Sequence, residues 1–430
     1  MDEAAEVGAS EPTLIGVLRD GGWVFVLVGF VARLPPAMLA LGVTLYAAER
    51  LGGFGPAGTV VASMAVGLGV GGPIVGGLAD RFGQRIVGIG AAVLVTVALA
   101  VTVLTMAPDR TLAIPMAMAF LLGAMNPQVT AMSRGRWSAM GRQRQDRGVF
   151  TSVAMSYEGV AEEATFVLGP VIVGLLQLVH PLAGLVVTGV LGLALPIVFA
   201  LLPNTLGPVG STSSHEHVRV PWLRLVPVGL SVAAVGVVFG ATSTGVAASL
   251  SAQGRPALSG IVYGGMGVGS ALSGLLTTRL PRSLSQRSRV VIFAGVLALV
   301  APFVAMAPAP WWLMGACFLC GCGLAPVLIG SFAIAEGVSP LARIGTVMTA
   351  LGTCIVAGVA VGSSLAGLLI DGYGPSSALL LPTAAGLAAL LAAVMARAQK
   401  GDPGCIGVTA GRPPKESLRS LDRAGCGMEE

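Results

Sequence analysis

Twelve long apolar segments run through the chain, and each is long enough to cross a lipid bilayer. They fall at 23–46, 56–79, 86–106, 111–133, 149–176, 181–202, 222–246, 258–279, 290–306, 310–334, 344–370 and 376–396. A membrane helix needs roughly 20 apolar residues, and only helices or closed barrels satisfy their backbone groups in lipid. Because the segments lack the strict alternation of a barrel, we predict an all-α integral membrane protein with twelve transmembrane helices.

The composition excludes an ordinary soluble protein. Charged residues make up 10% of the chain and hydrophobic residues 54%, whereas soluble proteins average about 25% charged residues. The 62 glycines suit a membrane protein, because small residues let membrane helices approach closely.

The apolar segments form two similar halves. Residues 64–81 align with residues 262–279, and residues 120–123 align with residues 318–321. The identical positions in the first alignment are Gly67 with Gly265, Gly69 with Gly267, Val70 with Val268, Gly71 with Gly269, Gly76 with Gly274, Leu78 with Leu276 and Arg81 with Arg279. A duplicated six-helix unit in parallel orientation is a known plan of membrane transporters.

Polar stretches divide the chain into five predicted parts. These are an N-terminal cytoplasmic segment (1–22), a first six-helix bundle (23–202), a central cytoplasmic linker (203–220), a second six-helix bundle (221–396) and a polar tail (397–430). The tail is rich in proline, glycine and charge, so we expect it to be disordered.

The distribution of positive charge predicts the orientation. With both termini in the cytoplasm, most of the 25 lysines and arginines lie on the cytoplasmic side, and only Arg50, Arg110 and Arg255 lie in outside loops. Cytoplasmic loops are enriched in these residues. We therefore expect a multi-pass protein of the cytoplasmic membrane with both termini inside.

A short charged link joins the second and third segments. Residues 76–85 read GGLADRFGQR, in which Gly83 permits a tight turn and Asp80 can pair with Arg81 or Arg85. The pattern G-x-x-x-D-R-x-G-x-R resembles the signature loop of the major facilitator superfamily of secondary transporters, although Gln84 stands where a basic residue is common.

This resemblance implies two pseudo-symmetric six-helix bundles that work by alternating access. It also implies that Asp80 meets the start of the eleventh helix near Arg343 and helps to lock the outward-facing state. The residues of this conformational-switch loop are Gly76, Asp80, Arg81, Gly83, Arg85 and Arg343.

Four charged residues lie near the midplane of the predicted spans, where charge is costly and is a functional candidate by default. They are Arg33 in the first span and Glu158, Glu162 and Glu163 in the fifth. A carboxylate whose protonation changes with conformation could couple transport to protons. Alternatively, Arg33 forms a purely structural ion pair with Glu158 or Glu162.

Residues 166–174 read FVLGPVIVG, which resembles the glycine-proline motif that the superfamily's antiporters carry on helix 5. This resemblance implies export, with Gly169, Pro170 and Gly174 as a hinge. The alternative is a plain packing kink, which neighbouring helices make tolerable.

The resemblance also implies that the first, fourth, seventh and tenth helices line a central cavity. Their polar candidates for this lining are Asn126, Gln128, Thr242, Ser243 and Thr244. Prolines are expected to break these helices near the midplane, where broken helices often form sites; they are Pro35, Pro36, Pro127 and Pro326.

Pairs of glycines four residues apart are expected to lie where the two halves slide past each other. The pairs are Gly67 and Gly71, Gly72 and Gly76, Gly265 and Gly269, and Gly358 and Gly362.

Together these features predict a proton-coupled exporter of small amphipathic molecules. The alternatives are a proton-coupled importer of the same fold and a non-transporting membrane sensor. We expect no enzymatic activity, since the sequence offers no convincing catalytic cluster. We also expect no cofactor, no metal site and no nucleic-acid partner. The expected partners are the lipid bilayer, protons and a small-molecule substrate, and the chain is expected to act as a monomer.

Overall fold

The computed structural model describes residues 14–107, 111–142, 144, 146–203, 205–207, 220–277, 281, 284–307, 309–340 and 343–396. The predicted tail, most of the central linker and residues 1–13 lie outside this part of the chain. Apart from a single 3-10 turn at Pro256–Leu258, the regular elements in the described ranges are α-helices. They are α1 (Leu14–Gly21), α2 (Trp23–Val31), α3 (Leu34–Leu51), α4 (Phe54–Phe82), α5 (Gln84–Thr105), α6 (Ala113–Ala124), α7 (Val129–Arg142), α8 (Arg147–Gln177), α9 (Ala183–Leu201), α10 (Trp222–Ala252), α11 (Ser259–Thr277), α12 (Gln286–Ala305), α13 (Pro310–Val338), α14 (Ile344–Tyr373), α15 (Pro375–Ala378) and α16 (Leu381–Met395).

The predicted twelve-helix membrane fold is confirmed. Within the described residues, 11 segments are long and apolar enough to cross a membrane. The twelfth crossing consists of α6 and α7, which a break at residues 125–128 separates into two short helices. Helices α2 to α9 form the first bundle and α10 to α16 form the second.

Proline breaks two of the crossings, as the sequence predicted. Pro35 and Pro36 occupy the first turn of α3, just after the break at Arg33. Proline is tolerated there because the first N–H groups of a helix have no intrahelical partner. Pro127 lies in the break between α6 and α7.

The predicted break at Pro326 is wrong, because α13 continues through this residue. Pro326 and its neighbours Leu324 and Val327 are buried in the second bundle. Surrounding helices can compensate for the backbone hydrogen bond that proline removes.

The duplicated sequence corresponds to duplicated packing. The carbonyl of Met64 lies against the Cβ position of Gly123 in the first bundle, and the carbonyl of Met266 lies against that of Gly321 in the second. Gly123 and Gly321 are matched positions of the predicted repeat, whereas Met64 and Met266 differ from the predicted register by one helical turn.

Most glycines of the predicted pairs do not lie between the bundles. Gly71 packs against Ala124 of the same bundle, and Gly269 packs against Phe318 of its own bundle. Gly358 likewise contacts Ala233 of α10. These glycines hold each bundle together, and other glycines form the contact between the bundles.

Helix α1 lies within the segment that we predicted as an N-terminal extension. It has only eight residues, which is too short to show a membrane pattern. Arg144 fixes it to the loop after α7, through Asp20 at 2.9 Å and Asp146 at 2.8 Å. The hydrogen bond from Arg144 holds the pKa of the Asp146 carboxyl below its usual range.

Candidate functional site

The membrane-spanning helices have two ends, which we name by their turns. The Gly52 end holds the turns at Gly52, Arg255 and Gly374, and the Gly83 end holds Gly83 and Arg144. Gly83 has a φ of 89°, in the left-handed region that glycine adopts without steric cost. The tight turn predicted for the signature loop is therefore present.

Helices α4 and α14 connect the two bundles in the half of the molecule near the Gly52 end. Gly58 packs against the backbone of Ser363, and Gly69 packs against Val356. The first contact requires a residue without a side chain, because a Cβ on Gly58 would collide with the Ser363 carbonyl, and a Cβ on Gly69 would be tight against the Val356 side chain.

Helices α8 and α11 form the second contact between the bundles in the same half. Gly174 lies against Gly260, whose own Cβ position is filled by the carbonyl of Pro170. Two helical turns before Gly174 on α8, Val167 packs against Gly267 of α11. The glycine-proline motif of the sequence thus lies in a helix crossing, and α8 continues through Pro170.

The same faces of α4 and α8 are open in the other half. Gly76 continues the α4 face that holds Gly58 and Gly69, yet no neighbour lies within 4 Å of its Cβ position. On α8, Val160 lies two turns before Val167 and is 57% exposed. Residues seven apart share a helix face, so the bundles diverge from the middle of α8 toward the Gly83 end and leave a cleft between them.

A buried ion pair lies inside the first bundle. Arg33 pairs with Glu158, and their side chains are 4% and 0% exposed. Glu158 also accepts hydrogen bonds from Ser133 Oγ at 2.7 Å and from Trp137 Nε1 at 2.9 Å. Arg33 Nε donates to Thr130 Oγ1 at 3.2 Å. Of the two glutamates named in the structural alternative, Glu158 and not Glu162 is the partner of Arg33 in this conformation.

A second buried arginine was missed by the sequence analysis, which assigned Arg136 to a loop. Its side chain is fully buried in α7, where Nε donates to Gln84 Oε1 at 2.8 Å and Nη1 donates to the Phe199 carbonyl at 3.0 Å. The guanidinium carbon lies 3.9 Å from the Phe199 ring centroid. Gln84 therefore connects the signature loop to α7, at the position where the resembling family commonly has a basic residue.

Glu162 lies at the surface of the first bundle and pairs with Arg134. The distance from Arg134 Nη2 to Glu162 Oε2 is 2.7 Å, and the side chains are 46% and 38% exposed. A pair with this exposure costs little to separate, in contrast to the buried pair of Glu158.

Glu163 lies at the inner end of the cleft. It is four residues before Val167, on the α8 face that packs against α11, and it lies one turn after Val160, which belongs to the exposed part of that face. It is partly buried, and it forms no hydrogen bond or ion pair with another described residue.

The predicted cavity-lining residues are dispersed. Gln128 is partly exposed and lies near Gly72 of α4. Asn126 instead lines a crevice within the first bundle, beside Pro35, Leu99 and Pro196. The placement of Asn126 in a central cavity therefore stays a prediction.

The three hydroxyl residues of α10 do not line the cleft either. Thr242, Ser243 and Thr244 are buried, since they lie in the half where the bundles touch. Ala247, one turn beyond Thr244, packs with Met38 of α3.

The charged residues of the signature loop are exposed. Asp80, Arg81 and Arg85 point away from the protein interior, and Asp80 forms no ion pair or hydrogen bond with a described residue. The predicted contact of Asp80 with Arg343 is thus absent in this conformation, as expected where α4 and α14 have separated.

Two six-helix bundles that close on one side and leave a cleft on the other are an architecture of secondary membrane transporters. The sequence model of the Major Facilitator Superfamily matches residues 25–355. The chain belongs to this superfamily.

Solved structures share the fold at low sequence identity. The nucleoside transporter NupG matches with a TM-score of 0.68 and 13% identity, over 86% of this chain and 98% of that chain. A bacterial homologue of the iron transporter ferroportin, in its inward-facing state, matches with a TM-score of 0.66 and 18% identity, over 89% and 98%. A structure of such a homologue in the outward-facing state with soaked iron has a TM-score of 0.55 at 16% identity, over 86% and 97%. No curated protein matches the sequence significantly.

Proposed function

We propose that the protein is a proton-coupled carrier that exports small amphipathic organic molecules across the cytoplasmic membrane. The charge distribution supports an orientation with the Gly83 end in the cytoplasm. In that orientation, the cleft between the bundles opens to the cytoplasm. The higher TM-score of the inward-facing ferroportin homologue agrees with this.

The observation that carries the proposal is the position of Glu163. Its carboxyl group lies at the inner end of the cleft, without an ionic partner among the described residues, at the point where α8 leaves α11. Opening the Gly52 end must change its surroundings, and burial or solvation changes the affinity of a carboxylate for protons. Glu163 can therefore bind a proton in one state and release it in the other.

The four charged residues take different roles in this proposal. Glu158 and Arg33 are locked in a structural pair inside the first bundle. Glu162 and Arg134 form an exposed pair beside the cleft that a charged substrate group can separate. We assign the proton to Glu163 alone.

The apolar character of the spans favours an amphipathic substrate over a sugar. Only 5% of the chain is aromatic, and the polar candidates Thr242, Ser243 and Thr244 are few. The glycine-proline motif of α8 favours export. We further propose that Asp80 reaches the start of α14 when the Gly83 end closes, where a carboxylate is favoured by the helix dipole.

Growth inhibition by a panel of toxic amphipathic compounds in an efflux-deficient host tests this function. The host carries the wild type, Glu163→Gln, Glu163→Asp or an empty vector at matched membrane levels. We expect resistance with the wild type, loss of resistance in Glu163→Gln and partial retention in Glu163→Asp. Glu336→Gln, which removes an exposed carboxylate at the Gly83 end, serves as the charge-matched control and should retain resistance.

Two outcomes contradict parts of this proposal. Resistance that survives Glu163→Gln removes the assigned role of Glu163. The absence of resistance to every compound removes export, and uptake assays then test the alternative of an importer with the same fold.

A further inference from the structure

A carboxylate of the second bundle caps a helix of the first bundle at the Gly52 end. Asp371, in the last turn of α14, accepts a hydrogen bond from the backbone N–H of Phe54 at 3.0 Å and another from Gly55 at 2.8 Å. These groups form the first turn of α4, whose N–H groups have no partner within their own helix. The contact therefore joins the two bundles through a charge-assisted pair of hydrogen bonds.

The sequence around this contact is adapted to the approach of the carboxylate. A Cβ on Gly55 would collide with Asp371 Oδ2, and a Cβ on Gly53 would lie 3.0 Å from the same atom. Gly367, one turn earlier on α14, packs directly against the Phe54 carbonyl. The absence of side chains at these three positions lets the end of α14 lie on the start of α4.

We propose that Asp371 is a latch that holds the Gly52 end closed. The carboxylate and the helix N-terminus belong to different bundles, so the two hydrogen bonds can form only when the bundles meet at this end. When the Gly52 end opens, both N–H groups and the carboxylate return to water. The latch therefore stabilises the present conformation relative to the one that opens on the opposite side.

The latch lies at the Gly52 end of α4 and α14, and these two helices are apart at the Gly83 end. Asp80 lies near the other end of α4, where it has no partner among the described residues while Asp371 is engaged. This proposal extends the alternating access of the proposed function, but its test needs neither a substrate nor a proton gradient.

Distance measurements between spin labels can test the latch directly. One pair of labels, at Thr111→Cys and Arg255→Cys, joins the two bundles at the Gly52 end. A second pair, at Arg142→Cys and Arg224→Cys, joins them at the Gly83 end. Both are placed in a background without the native cysteines and measured by pulsed electron paramagnetic resonance in lipid nanodiscs.

Two variants remove the latch by different routes. Asp371→Asn removes the charge and keeps the shape, whereas Gly55→Ala keeps the carboxylate and blocks its approach. We expect each to increase the ratio of Gly52-open to Gly52-closed molecules by about threefold to tenfold, the range for a carboxylate hydrogen-bonded at a helix N-terminus. The label pair at the Gly83 end should shift toward shorter distances in the same variants.

Glu49→Gln is the matched control, because Glu49 is an exposed carboxylate at the same end and contacts no part of the latch. We expect wild-type distances in this variant. Unchanged distances in both latch variants would overturn the proposal, and so would an equal shift in Glu49→Gln. A shift in Gly55→Ala without one in Asp371→Asn would show a steric effect only and would also overturn it. If Gly55→Ala does not fold, as judged by size-exclusion chromatography, Asp371→Asn decides; if Asp371→Asn does not fold, unchanged distances in Gly55→Ala overturn the proposal.

Discussion

Glu158 and Glu163 lie five residues apart on α8, and their surroundings are opposite. Glu158 faces the interior of the first bundle, where Arg33, Ser133 and Trp137 satisfy it. Glu163 faces the second bundle and has no such partners. Because five residues rotate a helix by about 140°, two similar side chains take unlike roles.

The buried pair yields a prediction about stability. Glu158→Gln leaves the Arg33 guanidinium buried without a counter-charge, so we expect it to cost about 3–5 kcal/mol of folding free energy. The double variant Arg33→Gln with Glu158→Gln should be more stable than Glu158→Gln alone. Thermal unfolding in detergent micelles measures both effects.

The exposed pair supplies the control for this measurement. Arg134→Gln should cost less than about 1 kcal/mol, as exposed ion pairs do. Equal losses for Glu158→Gln and Arg134→Gln would contradict the structural role of the buried pair.

At the residue scale, the sequence predicted the charged residues of the apolar segments but not all of their partners. Arg33 and Glu158 stand out because charge is rare in a membrane span. The burial of Arg136 could not be predicted, because this residue follows the apolar segment 111–133 and looks like an exposed loop residue. Its spacing from Ser133 and Trp137, which both point inward, was the available signal.

Among the helices, α8 has three successive parts with different roles. Its first half forms one wall of the cleft, its middle carries Glu163, and its last turns pack against α11 through Gly174 and Gly260. A change at the crossing should therefore act on the cleft at a distance.

Gly174→Leu tests this connection. The added side chain has no space beside Gly260, so we expect it to disfavour closure of the Gly52 end by about 1–3 kcal/mol, which is roughly 5–150-fold in the conformational ratio. The spin-label pair at Thr111 and Arg255 measures the ratio. Gly159→Leu on the same helix, where no neighbour lies within 4 Å of the Cβ position, should leave it unchanged. Closure as complete in Gly174→Leu as in the wild type would show that the crossing does not control the Gly52 end.

Helix boundaries were predictable where proline lies at a helix start and not where it lies inside a helix. Pro35 and Pro127 mark real breaks, whereas Pro326 is absorbed within α13. All three prolines lie in predicted apolar segments, and the difference arises from the helices that surround each proline. Helix α1 was missed because eight residues with two charges give no membrane signal.

At the scale of the whole molecule, the two bundles share a fold and differ in chemistry. Within the described spans, the buried charged side chains are Arg33, Arg136 and Glu158, all in the first bundle. The second bundle buries hydroxyl groups instead, among them Thr242 and Thr244. Proton binding is thus expected in the first bundle. The second bundle is expected to move relative to the first without binding a proton itself.

The overall fold followed from segment lengths and from the internal repeat, because a bilayer leaves few alternatives to a helix bundle. The residues that form the contact between the bundles could not be predicted from the sequence. Glycines such as Gly71 and Gly58 look alike in the sequence, and only the rotation of α4 decides which one faces the second bundle.

We expect substrate movement and proton movement to be coupled at Glu163, and transport into proteoliposomes under an imposed pH difference measures this coupling. For a compound to which the protein confers resistance, uptake should rise with the gradient in the wild type and lose this dependence in Glu163→Gln. Transport that is indifferent to the gradient in the wild type, or equally driven in Glu163→Gln, would contradict the account.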